Sequence, residues 1–370
     1  MAEPLYLDVF GHAELRNRLA SAVGKQRLPQ SLLFHGPRGV GKQRLAVWTA
    51  AALNCTGDSP PPCGRCRGCR LSGRLQHPDI NWFFPLPRPK RASGPEQLKQ
   101  KLEDARAAAL EERRGNPLYV DEEEGATGIY LGAVHTMRRL ATTSPAMGPA
   151  KVLVIGKAEA MVSQLGSPEA ANALLKLLEE PPADTTIILT SDVPGALLPT
   201  IRSRVQSVRV TALAETQVAE FLTSHVDLPA AEAKQVAARS GGSIGRALEL
   251  LGEDRGDFRD SAIDLVRALL DGRSVARLAA AHRFRAFGAR GSFSRILTEA
   301  RSILRDLLAD RAGAAPLDPQ VIADLRTQFE PDTTPIVQAL RRLDRAQDMA
   351  DRNVNPQLIV VNFLHPAGVV

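Results

Sequence analysis

The chain has 370 residues, 44% of them hydrophobic, and a formal net charge of +6 at pH 7. This length predicts two or three domains, each with a core of its own. No run approaches the roughly 18 uncharged apolar residues of a membrane-spanning helix, and the polar start does not look like a secretory signal, so we expect a cytoplasmic protein. The 47 basic and 41 acidic residues are interleaved, and only 4% of residues are aromatic. This composition favours a solvated surface over one that stacks bases.

The first half of the chain alternates short apolar runs with helical stretches. The runs predict strands at 31–35, 80–84, 152–155 and 187–189, and the stretches predict helices at 42–53, 133–141 and 169–180. Such alternation is typical of a parallel sheet with helices on both faces. We therefore predict an α/β fold built on a P-loop-like sheet domain.

The first predicted strand ends in GPRGVGKQ, residues 36–43, directly before a predicted helix. Gly36, Gly39 and Gly41 let the backbone wrap a phosphate, and Lys42 would reach its outer oxygens. The next position requires a serine or threonine hydroxyl to bind magnesium, but the residue here is Gln43. The pattern thus predicts a nucleotide-binding loop that is degenerate at its last position.

ATP hydrolysis also requires an aspartate at the end of a neighbouring strand, followed by a glutamate that activates water. The run KVLVI is a suitable strand, but Gly156 and Lys157 follow it. Glu159 lies slightly further on, where we expect a turn or helix rather than the catalytic position. The sequence therefore predicts a pseudo-ATPase without a magnesium site, and it leaves open whether ATP or ADP binds.

All four cysteines of the chain fall in one insertion at 55–75, and these are Cys55, Cys63, Cys66 and Cys69. Their C-x7-C-x2-C-x2-C spacing in a reducing compartment predicts one structural zinc site, with disulfides as the alternative. His77 is close in sequence, but four thiolates already complete a tetrahedron. Three arginines between or beside the cysteines leave DNA contact, subunit contact and simple loop stapling open: Arg65, Arg67 and Arg70.

A second insertion spans about residues 85–128 and contains a highly charged helical stretch followed by an acidic run. We expect a mobile excursion here, helical in part. After the strand-like run ending at Val210, the remainder predicts amphipathic helices broken by glycine. The simplest division is a sheet domain at 1–210, a helical domain at 211–255 and a longer helical domain at 256–370.

The segment LLPTIRSRV, residues 197–205, directly follows the predicted strand TTIILTS. Its Arg202 and Arg204 are placed where an edge of the sheet would face a neighbouring subunit. A guanidinium at such an edge can stabilise phosphate charge in the neighbour's site. Without a family in mind, solvated arginines are the simpler interpretation.

Four motifs in this order resemble the bacterial DNA polymerase III clamp-loader family over about residues 5–255: HGPRGVGK, the four-cysteine insertion followed by HPDI, NALLKLLEEPP and LLPTIRSRV. The resemblance implies an AAA+ P-loop domain with a helical lid domain, and a helical collar domain through which five subunits form a ring. In this family the gamma and tau subunits are ATPases, whereas the delta-prime type resembles them without being an active ATPase. Gln43, Gly156 and Lys157 favour the delta-prime type.

The resemblance also implies residue roles and partners. The family's arginine finger lies in a serine-arginine-cysteine motif that maps onto Ser203, Arg204 and Val205, so Arg204 is expected to act catalytically in trans on a neighbouring ATPase. Gly245 stands where an ATPase of the family has its sensor arginine, and Arg246 is shifted by one position. The implied partners are gamma/tau and delta subunits in a hetero-pentameric ring that loads the sliding clamp onto primed DNA.

Two alternatives stay open at this point. The first is an active clamp-loader ATPase of the gamma/tau type with an unorthodox site, which DNA-stimulated hydrolysis by the chain alone would favour. The second is a zinc-dependent DNA-binding protein on an AAA+ scaffold, which a steep salt dependence of DNA affinity would favour.

Overall fold

The computed structural model describes residues 6–57, 60–89, 94–119, 127–161, 168–252, 255–271, 273–284, 289, 291–329, 332–351 and 354–364. They form two compact units, one extending to Leu248 and the other beginning at Glu249. No helix in these ranges is long and apolar enough to cross a membrane.

The first unit combines a sheet with helices. Its elements in chain order are α1 (Ala13–Gly24), β1 (Ser31–His35), α2 (Lys42–Leu53), α3 (Arg67–Gly73), β2 (Ile80–Phe83), β3 (Leu86–Pro87), α4 (Pro95–Gly115), β4 (Thr127–Gly128), α5 (Leu131–Ala141), β5 (Lys151–Ile155), α6 (Glu169–Glu179), β6 (Thr185–Ser191), α7 (Pro199–Arg202), β7 (Gln206–Arg209), α8 (Glu215–His225), α9 (Ala230–Ser240) and α10 (Ile244–Glu249). The predicted strands all form, and α2 has the predicted bounds.

The main sheet has five parallel strands in the order β2-β5-β6-β1-β7. Successive strand residues point to opposite faces, and both faces are covered. Leu32 and Phe34 of β1 pack in a cluster with Trp48 of α2, whereas Leu33 packs in a second cluster with Leu174 of α6. Because both faces are buried, the strands are apolar along their whole length, which makes them readable in the sequence. The predicted α/β class, with helices on both faces, is confirmed.

The second insertion contains the helix that its sequence predicts. The helical content is confirmed by the 21 residues of α4, which packs on the sheet domain, and the expected mobility of the insertion stays a prediction. Leu102 is buried, and so is Arg113, whose guanidinium carbon lies 3.9 Å from the ring centre of Phe84. Residues 90–93 and 120–126, including most of the acidic run, lie outside the described residues.

The second unit consists of helices over its described residues. They are α11 (Arg255–Asp271), α12 (Ser274–His282), α13 (Ser292–Arg311), α14 (Pro319–Phe329), α15 (Thr333–Asp351) and α16 (Pro356–Leu364). Leu265, Leu304 and Leu343, from α11, α13 and α15, belong to one fully buried cluster. This unit therefore has its own core. The finer division of the first unit at residue 210 stays a prediction.

Candidate functional site

The phosphate-binding loop connects β1 to α2, and its lysine is paired within the chain. Gly41, at φ 94°, directly precedes α2 in a left-handed conformation that a side chain would strain. The ammonium group of Lys42, which is 5% exposed, donates to the carbonyls of Gly36 (2.8 Å) and Pro37 (2.6 Å). It also forms an ion pair with Asp192 at 2.5 Å. These three acceptors match the three N–H donors of an ammonium group.

Asp192 reaches the loop because of the strand order. The parallel strands β1 and β6 pair His35 with Ser191, so the residue after each strand lies at the same edge of the sheet. Gly36 follows β1 and Asp192 follows β6, which brings the carboxylate beside the loop. Asp192 was not predicted, because its signal in the sequence is only an acid directly after a buried strand.

The two positions at which an ATPase would bind magnesium, Gln43 and Gly156, lie against each other. A Cβ atom on Gly156 would lie 2.4 Å from Oε1 of Gln43 and 2.8 Å from its Cδ, closer than such contacts occur. The glutamine amide thus occupies the space in which a side chain at position 156 would begin. Within the described part of the chain, Oε1 of Gln43 is buried without a hydrogen-bond partner.

Lys157 and Glu159 do not restore a catalytic pair. The amide of Lys157 donates to Oγ1 of Thr190 at 3.1 Å. Glu159 lies in a short 3₁₀ turn, as predicted, where its carboxylate accepts the amide of Asp192 at 3.0 Å. Burial, and secondarily the nearby charge of Asp192, raise the pKa of Glu159. Glu159 therefore supports the residue that pairs with Lys42.

The start of α10 closes the loop from another side. The amide of Gly245 donates to the carbonyl of Gly39 at 2.9 Å, and the hydroxyl of Ser243 donates to that of Arg38 at 2.8 Å. A Cβ atom on Gly245 would lie 2.7 Å from Cα of Gly39. Gly245, which stands where an ATPase of the resembling family has its sensor arginine, therefore has no room for a side chain.

The four predicted metal ligands meet in space. The sulfur atoms of Cys55, Cys63, Cys66 and Cys69 all lie within 4.8 Å of one another. A tetrahedral zinc ion with Zn–S bonds of about 2.3 Å requires sulfur separations of about 3.8 Å, so the donor set fits zinc. Successive backbone amides donate to these sulfurs at 3.3–3.4 Å. Backbone amides lower the pKa of Cys63, and, against the effect of burial, amides including that of Cys69 lower the pKa of Cys66 to about 6. Burial raises the pKa of Cys55 and Cys69.

His77 does not belong to the cysteine cluster. Its Nδ1 accepts the amide of Asp79 at 3.1 Å, so the proton of the neutral ring is on Nε2. Burial lowers the pKa of His77 and keeps it neutral. The ring lies beside Gly68 of α3, at which a Cβ atom would be 3.6 Å from Nε2. His77 therefore packs beside α3 of the cysteine insertion and is not one of the metal ligands.

Asp79 anchors the loop before β5 and was also missed in the sequence. Its buried carboxylate accepts the amides of Ala146 (2.6 Å), Met147 (2.8 Å) and Gly148 (2.8 Å), and the ammonium of Lys151 at 3.0 Å. Burial would raise the pKa of Asp79, but these bonds together lower it to about 2.

Arg204 lies on the surface two residues before the edge strand β7. Its side chain is 34% exposed, and its guanidinium forms an ion pair with Glu179, the last residue of α6, at 2.6 Å. Arg202 is exposed as well. The three arginines among the cysteines are also exposed: Arg65, Arg67 and Arg70.

Comparison with known proteins identifies the family. A family model described as DNA polymerase III, delta subunit, matches residues 11–214, which is more than half of the chain. The chain belongs to this family. The resemblance to the clamp-loader family, delta-prime type, is thereby confirmed.

Individual relatives support this membership. The DNA polymerase III subunit delta' of Pseudomonas aeruginosa is 32% identical over 249 residues, covering 67% of this chain and 63% of the relative. The delta' subunit of Escherichia coli is 25% identical, covering 94% and 91%. The tau/gamma subunit of Haemophilus influenzae is 30% identical, covering 59% and 25%. The chain thus spans less than two thirds of the length of the P. aeruginosa and H. influenzae relatives.

Proposed function

We propose that the chain is a non-hydrolysing, delta-prime-type subunit of the DNA polymerase III clamp loader in the cytoplasm. The observation that carries this proposal is that the amide of Gln43 occupies the space in which a side chain at Gly156 would begin. Neither residue offers a hydroxyl or carboxylate ligand, and the acid that follows β5, Glu159, accepts the amide of Asp192 instead of facing a metal position. The phosphate loop would then be a degenerate nucleotide site, because Lys42 is already paired with Asp192. Its residues are Gly36, Gly39, Gly41 and Lys42.

The subunit would contribute to catalysis in trans. Arg204 presents its guanidinium at the surface, where it can enter the ATPase site of a neighbouring gamma/tau subunit and stabilise the charge of the transferred phosphoryl group. The partners in this proposal are gamma/tau and delta subunits in a hetero-pentameric ring. The helical second unit would serve as the collar, and the complete ring would load the sliding clamp onto primed DNA.

The cysteine cluster would hold one structural zinc ion. Four thiolate ligands leave no open coordination position, so the ion would stabilise the loop between α2 and β2 rather than take part in chemistry. The two ends of the cluster explain this role: Cys55 lies two residues after α2, whereas Cys69 is buried within α3.

The test is reconstitution with gamma/tau and delta subunits, sliding clamp and primed DNA. The isolated chain should hydrolyse ATP no faster than background, and turnover that disappears in Lys42→Ala would contradict the proposal. In the complex, Arg204→Ala should preserve assembly but lower DNA-dependent turnover partially, because only the site facing this chain loses its arginine. One arginine finger is worth about 10³ to 10⁵ in rate at its own site. Arg202→Ala is the matched control, with turnover near wild type.

One observation favours a second role for the cysteine insertion. Arg65, Arg67 and Arg70 are exposed, and none has an ion pair with a carboxylate among the described residues, so they are open to DNA phosphates. If the isolated chain binds DNA through them, the logarithm of affinity should fall linearly with that of salt, and each arginine replaced by alanine should reduce the slope by about 1.

A further inference from the structure

Arg204 is held by two groups of its own chain. Its Nη2 is 2.6 Å from Oε1 of Glu179, and its Nη1 donates to the carbonyl of Thr200 at 2.9 Å. A weaker contact joins Nη1 to the hydroxyl of Ser203 at 3.4 Å. The guanidinium is therefore fixed along one edge, between the end of α6 and the short helix α7.

The backbone below Arg204 is equally constrained. Three residues at intervals of four are buried in the same cluster as Leu33 of β1: Leu197, Ile201 and Val205. The amide of Arg204 donates to the carbonyl of Ile201 at 3.0 Å. With Ile201 and Val205 anchored in the core, the arginine between them has only the surface to occupy.

Helix stability does not explain Glu179. It is the final residue of α6, where the partial negative charge of the helix end disfavours a carboxylate. Its side chain is 45% exposed, and an ion pair so accessible to water contributes little to folding. An acid in this place therefore has another use, and its contact with Arg204 provides one.

The contact leaves the guanidinium able to bind a phosphate. A guanidinium has five N–H donors, of which Glu179, Thr200 and Ser203 use at most three. At least two donors, including Nε–H, stay available on the other edge. A polyphosphate carries more negative charge than a single carboxylate and matches the planar fork of arginine.

We propose that Glu179 is a positioning residue for Arg204, holding one edge of the guanidinium so that the other edge is presented to the phosphates of the neighbouring subunit. This inference rests on the proposed trans role of Arg204. Glu179 contacts neither the nucleotide nor the reacting atoms; it restricts a long side chain with several rotatable bonds to one orientation before the neighbour arrives.

The experiment measures DNA-dependent ATP turnover of the reconstituted complex with five variants of this chain: Arg204→Ala, Glu179→Ala, Glu179→Gln, Glu180→Ala and the double variant Glu179→Ala/Arg204→Ala. The difference between wild type and Arg204→Ala defines the turnover that depends on Arg204. Glu179→Ala should reduce this part by up to about fivefold, the range for one ion pair that is accessible to water. The KM for ATP should not change.

Two of these variants separate a positioning role of Glu179 from a structural one. Glu179→Gln should retain part of the activity, because its amide oxygen keeps a partial negative charge beside the guanidinium. The adjacent, exposed Glu180 is the matched control, and Glu180→Ala should equal wild type. The double variant should be no slower than Arg204→Ala alone, because Glu179 acts only through Arg204.

Each contrary outcome identifies what is wrong. If Arg204→Ala equals wild type, the trans role fails and the inference fails with it. If Arg204→Ala lowers turnover but Glu179→Ala does not, or if the two losses add in the double variant, only the positioning role is wrong. If Glu179→Ala disturbs folding, seen as a lower thermal midpoint, Glu179→Gln carries the test: turnover equal to wild type and to Glu180→Ala would overturn the inference.

Discussion

At the scale of single residues, the phosphate loop is occupied by its own chain. Lys42 has all three of its donors matched by Gly36, Pro37 and Asp192. An incoming nucleotide must therefore compete with a carboxylate for the lysine. The strength of that competition is measurable, because Asp192 contacts the loop without belonging to it.

Asp192→Asn should tighten ATP binding about threefold to tenfold, because it removes the charge that competes for Lys42. Titration with a fluorescent ATP analogue measures the affinity, and Asp192→Asn combined with Lys42→Ala is the control that should lose the gain. Added magnesium should change neither affinity by much, since Gln43 and Gly156 offer no metal ligand. Unaltered affinity in Asp192→Asn would show that the ion pair does not limit binding.

The depressed pKa of Asp79 predicts a pH-dependent contribution to folding. Its pKa is about 2 in the fold and about 3.9 in an unfolded chain, so the stabilisation is complete above about pH 5 and is lost as pH falls toward 2. Asp79→Asn should cost about 3 kcal/mol near neutral pH, because it leaves Lys151 buried without a charge partner.

Urea unfolding of wild type and Asp79→Asn at several pH values checks this prediction. The difference in unfolding free energy should be constant at neutral pH and shrink below pH 4. The exposed carboxylate of Asp104 provides the control, since Asp104→Asn should show a small difference throughout. A difference that is independent of pH would assign the stabilisation to hydrogen bonds alone.

At the scale of elements, α3 depends on the cysteines more than on its own sequence. It has only seven residues, and Cys66 caps its first turn by accepting the amide of Cys69. A helix this short is not stable in isolation. The four cysteines therefore supply the metal ligands, and one of them also stabilises the start of α3.

Cys66→Ser should abolish the binding of one zinc per chain and increase amide exchange across residues 55–75. Elemental analysis of reduced protein and hydrogen-exchange mass spectrometry measure the two effects. Arg70→Ala, an exposed change in the same helix, should keep the metal and the protection. Wild-type protein that is free of zinc when freshly purified would contradict the assignment.

The sequence predicted elements whose signals are local and missed contacts that depend on distant pairing. Strands and α2 were readable because their apolar runs are buried on both faces. The contact of Asp192 with Lys42 follows only from the adjacency of β1 and β6. The docking of α4 was hidden for a different reason: Arg113 fills a core position through its guanidinium on Phe84, and a charge pattern does not reveal that use.

At the scale of the whole molecule, the chain separates into two units with independent cores. The first contains all the candidate site residues and ends at Leu248, and the second contains the helices proposed as the collar. The proposed division of labour predicts that site chemistry and assembly can be separated by cutting the chain between them.

A fragment of residues 1–252 should fold, bind zinc and retain Arg204 at its surface, yet fail to join the ring or stimulate its ATPase. A fragment of residues 253–370 should remain helical, because its core includes Leu265, Leu304 and Leu343. Circular dichroism, zinc analysis and size-exclusion chromatography with the partner subunits check these outcomes. Assembly by the first fragment alone would contradict the collar assignment.

The two glycines beside the phosphate loop differ in how they would accept a larger residue. A Cβ atom on Gly245 would lie 2.7 Å from the backbone of Gly39, whereas one on Gly156 would meet the amide end of Gln43, a flexible side chain that can turn aside. Gly156→Asp should therefore be accommodated by a new rotamer of Gln43, while Gly245→Arg should distort the loop itself. The loop backbone, more than the residue after β5, consequently limits which side chains this site can accept.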